Sequence, residues 1–329
     1  MPDRHSLNSL LLSSRAQRAT SILLAASAIF SLVLLSRVYA DPVPAPERPR
    51  IMGIGSVTIL STNLPAANDF YREVIYPESV CKLCGYTPRR FFGFPTGQKV
   101  ELLEASPSSS NLLSEISFVT EDLAKLRKFL EASGIKDEER KSRAGSSRAP
   151  LVTHDPEGHR ISFAESPYMS STRDSASAAT LVSPVRIIHA GFVVHDRAAE
   201  DKFYKDILGF HVYWHGGMKE GEDKWVDMQV PDGTDWIEYM LNVPENATHK
   251  QLGVMNHIAL GVPDIHAARE QLVKNGWTGT EEPKIGRDGK WQLNLYDPDE
   301  TRVELMEFKP TKEPCCSAYT GPHPGAAQQ

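Results

Sequence analysis

The sequence predicts an α+β protein of four βαβββ modules, paired into two tandem domains with concave mixed sheets and helices outside. Three observations lead there. An amphipathic pattern of strand, helix and further strands recurs from Ile51 onward, with a module-sized period. Short landmarks keep register between repeats: Phe70-Tyr71 matches Phe203-Tyr204, and Asp155-Pro156 matches Asp297-Pro298. In the later half, strand alternation puts a His or a Glu on the same face of four separate strands.

The bulk properties set the frame. The chain has 329 residues, 40% of them hydrophobic and 24% charged, enough to bury two cores. A net charge of −6 excludes a strongly basic nucleic-acid surface. Residues 1–40 differ in kind: Arg15 and Arg18 precede the apolar run Ile22–Leu35, and Val38-Tyr39-Ala40 has the small-residue spacing of a cleavage site. Together these predict an export signal cut after Ala40, hence a periplasmic or extracellular protein. An uncleaved segment would instead tether the chain to a membrane. The cysteines Cys81, Cys84, Cys315 and Cys316 suit an oxidising compartment, and three pairings are open. Residues 41–50 are a Pro-rich spacer.

The first module, Ile54–Glu104, has a strand at Ser56–Leu60 and a helix over Leu64–Val74. The second, Leu112–Glu165, has a strand at Glu115–Val119 and a helix over Glu121–Ser133. Together they form a domain at 51–167. Residues 168–184, rich in Ser, Ala and Thr, are a linker. Modules three (185–244) and four (253–309) form the second domain, 185–309, and 310–329 are a tail. Asp196 and Asp264 are N-cap candidates, and Gly209 and Asn275-Gly276 are stop signals.

Alternation assigns Ile188, Ala190, Phe192 and Val194 to the helix side and His189 to the other. The same rule packs Ile258, Leu260 and Val262 and turns out His257. It packs Ile237, Tyr239, Val303 and Leu305 and turns out Glu238 and Glu304. His189, Glu238, His257 and Glu304 thus converge as ligands for one divalent ion: Zn, Fe, Ni, Co or Mn. The set is too nitrogen-rich for a calcium cage and too Cys-poor for closed structural zinc. An octahedral ion would keep about two positions for water or substrate oxygens. Trp225, Asp227, Gln229, Gln292, Asn294 and Tyr296 share that face, the expected lining of a small-molecule pocket.

These residues resemble the vicinal-oxygen-chelate superfamily, which includes glyoxalase I, extradiol dioxygenases and bleomycin-resistance proteins. The resemblance rests on Phe203–Phe210, Asn256–Leu260 and Tyr296–Leu305. It implies that each cup is made by two modules, with ligands on their first and last strands. The first domain has Ser56, Glu101, Glu115 and Ser162 at those places, so the resemblance implies one metal per chain, held by modules three and four together, in one chain or exchanged in a homodimer. It further implies three chemistries. The favoured one is a glyoxalase-like lyase or isomerase with metal-stabilised enediolate chemistry on a vicinal-oxygen substrate, in which Glu238 or Glu304 is the base. The second is Fe(II) extradiol ring cleavage, the third a non-catalytic drug-binding protein. Asp206 stands where glutathione-dependent members have Arg, which points away from a glutathione adduct.

Overall fold

The computed structural model describes residues 46–75, 89–106, 109, 111–138, 149–165 and 184–326, all within one compact unit, Pro46–Gln329. The signal-like segment 1–40, Cys81, Cys84 and residues 168–183 of the expected linker lie outside them. Among the described residues no helix is long and apolar enough to cross a membrane.

Two mixed sheets carry the architecture. The first contains β1 (Ile51–Ser61), β2 (Arg89–Gly93), β3 (Lys99–Glu104), β4 (Leu113–Thr120), β5 (Leu151–His154) and β6 (Arg160–Glu165), ordered β2-β3-β1-β4-β6-β5. The second contains β7 (Arg186–Val193), β8 (His211–Gly216), β9 (Trp225–Gln229), β10 (Trp236–Met240), β11 (His257–Val262), β12 (Lys284–Ile285), β13 (Trp291–Tyr296) and β14 (Arg302–Glu307), ordered β12-β13-β14-β11-β7-β10-β9-β8. In each sheet two modules meet at their antiparallel first strands, β1 with β4 and β7 with β11. Each first strand takes its module's last strand in parallel on its other edge. Modules three and four therefore build one cup within one chain. Both show four strands. Among the described residues modules one and two show three each, with 76–88 and 139–148 outside description.

The crossovers that parallel pairing needs are helical. Helix α1 (Leu64–Asp69) runs on into a wider π-type turn at Phe70–Ile75, and α3 (Arg197–Asp201) into another at Lys202–Ile207. Helices α2 (Leu123–Ala132) and α5 (Ile265–Lys274) serve modules two and four. Side chains of Asn63, Asp122, Asp196 and Asp264 accept backbone N–H groups of the first turns. Gly209 (φ 81°) and Gly276 (φ 103°) take the left-handed geometry that ends the later two crossovers.

Two sequence expectations need correction. Module four, expected from residue 253, is instead entered through helix α4 (His249–Met255), which starts at a Thr248–Gln251 capping box. Ile188 does not join the helix-side core. Ala259 lies opposite His189 while Leu260 lies opposite Ile187, so Ile188 is the extra residue of a β-bulge. Ile187 takes the helix-side place, and Ile188 packs instead with Tyr213, Trp214, Trp236, Ala259 and Met306. The slip ends before His189. The same bulge recurs in β1, where Ile54 and Ser56 face Phe118 and Ser117 and Gly55 is skipped.

One apolar core joins both sheets and the helices. Its edges are pinned by polar links. Gln98 Nε2 donates to the carbonyls of Ile54 and Ile187 and to Asp235 Oδ2, each over 3.0 Å. Arg186 pairs with the same buried Asp235.

Candidate metal centre

His189 stands mid-way along β7, the buried central strand of the larger sheet. Its neighbours there bring the other three groups: β10 carries Glu238 and β11 carries His257, while β14, beyond β11, carries Glu304. His189 Nε2 and His257 Nε2 are 3.1 Å apart. Glu238 Oε2 is 3.1 Å from His257 Nε2 and 3.8 Å from His189 Nε2. Glu304 Oε2 is 3.6 Å from His189 Nε2 and 3.8 Å from His257 Nε2. Gly191, opposite His257, makes room: a Cβ on it would overlap the imidazole.

Burial sets the protonation. It drives both histidines well below their usual range, with the neighbouring His257 and Arg302 adding to the effect on His189 and Arg302 to that on His257. Burial raises Glu238 and Glu304 to about 7, against the opposing pull of Arg302. His257 Nδ1 lies 2.8 Å from the Met255 carbonyl, which can only accept, so Nδ1 carries the proton. Its Nε2 lone pair then faces the carboxylates. Such a meeting of electron-rich atoms calls for a cation.

The donors fit a divalent metal. With bonds of ~2.1 Å, neighbouring ligand atoms are about 3.0 Å apart in an octahedron and about 3.4 Å in a tetrahedron. The observed 3.1–3.8 Å lies just above these values, and His189, Glu238 and His257 offer ligand atoms all within 4.8 Å of one another, a mutual group that does not include Glu304. The guanidinium of Arg302 answers the same electrostatic demand: its Nη2 donates to His257 Nε2 over 2.6 Å and lies 3.9 Å from Glu238 Oε2.

A cavity of about 310 Å³ opens above this centre. Trp225, Asp227, Gln292 and Asn294 line it, where alternation puts them. Gln229 does not: it is fully buried, and its amide donates to the carbonyls of Thr234 and Pro322, so the C-terminal tail covers it. Tyr296 does not either, because it ends β13 and is 38% exposed outside the cavity.

Several lining residues went unnoticed in the sequence. Arg302 and Met306 share the face of Glu304, and Trp236 that of Glu238, so the same alternation names them. Lys284, Arg287 and Asp288 come from loop and edge positions with no periodicity. Behind the wall, buried Lys290 lies 4.2 Å from the Trp236 ring and about 5.0 Å from those of Tyr213 and Tyr319. The tail supplies Tyr319. It also carries the Cys315–Cys316 disulfide, beside which Arg287 Nη2 donates to Cys315 Sγ over 2.7 Å.

Among the described residues the first cup shows no such set. Sheet register makes Ser56, Glu101, Glu115 and Ser162 the equivalents of His189, Glu238, His257 and Glu304. There Arg160 pairs with Glu115 at 2.6 Å, and Ser162 Oγ donates to it.

This tandem fold with one histidine–carboxylate centre defines a class. Residues 186–305, about a third of the chain, match the Glyoxalase/Bleomycin resistance protein/Dioxygenase superfamily. Over 130 residues, 39% of this chain and 96% of the relative, it is 28% identical to lactoylglutathione lyase of Haemophilus influenzae. Solved structures of homoprotocatechuate 2,3-dioxygenase from Brevibacterium fuscum share the two-domain fold. Its complex with 3,4-dihydroxyphenylacetate gives a TM-score of 0.56 at 20% identity, covering 80% of this chain and 83% of that one. A room-temperature structure of an extradiol ring-cleaving dioxygenase from the same organism gives 0.57 at 20%, covering 80% and 74%.

Proposed function

We propose that the chain is an exported, metal-dependent lyase or isomerase of the glyoxalase kind, acting on a small substrate with oxygens on adjacent carbons. The observation that carries this is the second carboxylate. Glu238 lies 3.1 Å from His257 Nε2, within the ligand set rather than at its margin. His189, His257, Glu238 and Glu304 would hold the ion, which when bound supplies a Lewis acid to the substrate oxygens.

The chain's own groups do the rest. Glu238 and Glu304, which burial raises to about 7 in the absence of metal, are the groups at hand to take and return a proton. One of them removes the proton from the carbon bearing one oxygen and delivers it to its neighbour, so no atom is gained or lost. Trp214, Trp225 and Trp236 wall the cavity against water. Lys284 and Arg287 suit an anionic substituent on the substrate. Asp206 and the proposed export, with cleavage after Ala40, argue against a glutathione adduct. All four ligands lie in one chain, so no partner subunit is needed to complete the set.

A second reading, Fe(II) ring cleavage, draws support from the tandem likeness to a dioxygenase, a likeness of fold. The test is to incubate the metal-loaded protein in D2O with a panel of small hydroxy-carbonyl compounds and, separately, catechols under oxygen. Deuterium entering at the oxygen-bearing carbon that receives the proton, without oxygen uptake, is the expected result. Oxygen consumption with ring opening would overturn it. N-terminal sequencing of the mature protein, expected to begin at Asp41, tests export.

A further inference from the structure

Away from the cup, the two domains are clasped by a pair of matching latches. In one, Tyr71 of the first module donates to Asp297 of the fourth over 3.4 Å. In the other, Tyr204 of the third module donates to Asp155 of the second over 3.0 Å. The turns match atom for atom: Asp155 Oδ1 accepts from the N–H of Glu157 and His159, and Asp297 Oδ1 from those of Asp299 and Thr301. Glu157 then grips the start of α3 at His195 and Asp196, as Asp299 grips the start of α1 at Ser61 and Thr62.

At two places the latches differ. Four residues before its tyrosine, one has Ala67, buried and apolar; the other has Glu200, equally buried. Four residues after its aspartate, one has Thr301 and the other His159. Asp155, His159 and Glu200 each place a ligand atom within 4.8 Å of the other two. His159 Nδ1 lies 2.8 Å from Asp155 Oδ2. Glu200 Oε1 accepts from Glu157 N over 3.0 Å, while its sealed Oε2 meets no N–H or hydroxyl donor among the described residues, and burial beside the Asp155 carboxyl raises Glu200 to about 9. A carboxylate oxygen shut away without a donor, beside a second carboxylate and an imidazole, is the coordination chemistry of a divalent ion.

We infer that Asp155, His159 and Glu200 form a second divalent-metal site, a structural one that clasps the two domains at this latch. The bond it adds is between domains, since Asp155 and His159 come from the first and Glu200 from the second. Its ion is of the first-row transition type, as the imidazole indicates. The opposite latch, with a methyl and a hydroxyl in those places, closes by hydrogen bonds alone.

Zinc is the probe, and the full chain carrying His189→Ala and His257→Ala, which disable the cup, is the test protein. After loading and desalting, elemental analysis should find one zinc per chain. Added zinc should also raise its Tm by several degrees. Adding Glu200→Ala, which copies the opposite latch, should abolish both effects while the chain stays folded. No retained zinc in the cup-disabled protein, or zinc unaffected by Glu200→Ala, overturns the site. If the cup-disabled chain does not fold, the wild type replaces it: a fall from two zinc ions to one on Glu200→Ala supports the site, and an unchanged count refutes it.

Discussion

Ser56 and His189 hold the same place in their two sheets, each just past the bulge of a central strand, and around them the cups diverge. In the first, Arg160 meets Glu115 directly, at 2.6 Å, and Ser162 donates to the same carboxylate. In the second, Arg302, the equivalent of Arg160, meets an imidazole, and two further acids stand within 4 Å of that ring. In the first cup the guanidinium is committed to Glu115, and Ser56 and Ser162 stand where the second cup has His189 and Glu304. Two lone pairs and two carboxylates are not balanced by a single guanidinium. The backbone is thus neutral to function, and four side chains turn a self-satisfied sheet face into a centre that demands a cation.

The sharpest break in that contrast is removal of an imidazole. His189→Ala or His257→Ala should weaken metal binding more than a hundredfold, beyond the ~10–100-fold that outer partners of a ligand are worth. Ser56→Ala should change nothing. Titration calorimetry with Zn2+ measures both, and loss of binding in the Ser56 variant would misplace the centre.

Acidity is the next lever. Glu238 and Glu304, both near 7 without metal, must shed protons to bind, whereas the two histidines are already neutral. As pH falls below 7, affinity should drop by up to about a hundredfold per unit, the slope of two released protons. Raising the pH above 7 should bring a plateau. Histidine-controlled binding would instead stay flat as pH falls through 7, because both imidazoles take up protons only well below their ordinary range.

Backbone room distinguishes the cups as well. Register places Thr58 in the first cup where Gly191 stands in the second. Thr58 faces Glu115, a flexible chain, while any Cβ at Gly191 would strike the His257 ring. Gly191→Ala should therefore cost on the order of 10–100-fold in metal affinity with the fold retained, because a ligand must be held to about half an ångström. Thr58→Ala should leave metal binding unaltered.

Much of this was legible in the sequence, and the failures have physical reasons. Alternation put His189, Glu238, His257 and Glu304 on one face because period 2 holds along any regular strand. It misplaced Ile188, since a bulge is one unpaired residue with no residue-type signature when Ile fills it; Gly55 at the equivalent point in β1 was the available hint. Gln229 has the right parity, yet the C-terminal tail covers it, and strand periodicity carries nothing about a distant segment. Lys284 and Arg287 lie beyond such rules for the same reason. Arg302, two residues from Glu304 on the same strand, shares its face by the same period of 2.

Arg302 therefore offers the subtlest test of how the cups differ. Its Nη2 donates into the lone pair that His257 would give a metal, so an incoming ion must displace a charge-assisted hydrogen bond and tolerate a nearby positive charge. Arg302→Gln removes both obstacles. Metal affinity should rise about tenfold, which corresponds to a hydrogen bond to a charged group of roughly 1.5 kcal/mol. Arg160→Gln should leave metal affinity unchanged and alter stability by no more than about 1 kcal/mol, since its pair with Glu115 is partly open to solvent. Zinc titrations of both variants measure the first quantity and urea unfolding the second. If Arg302→Gln weakens binding instead, the guanidinium supports the ligands rather than competing for them, and the contrast between Arg160 and Arg302 would reverse in sense.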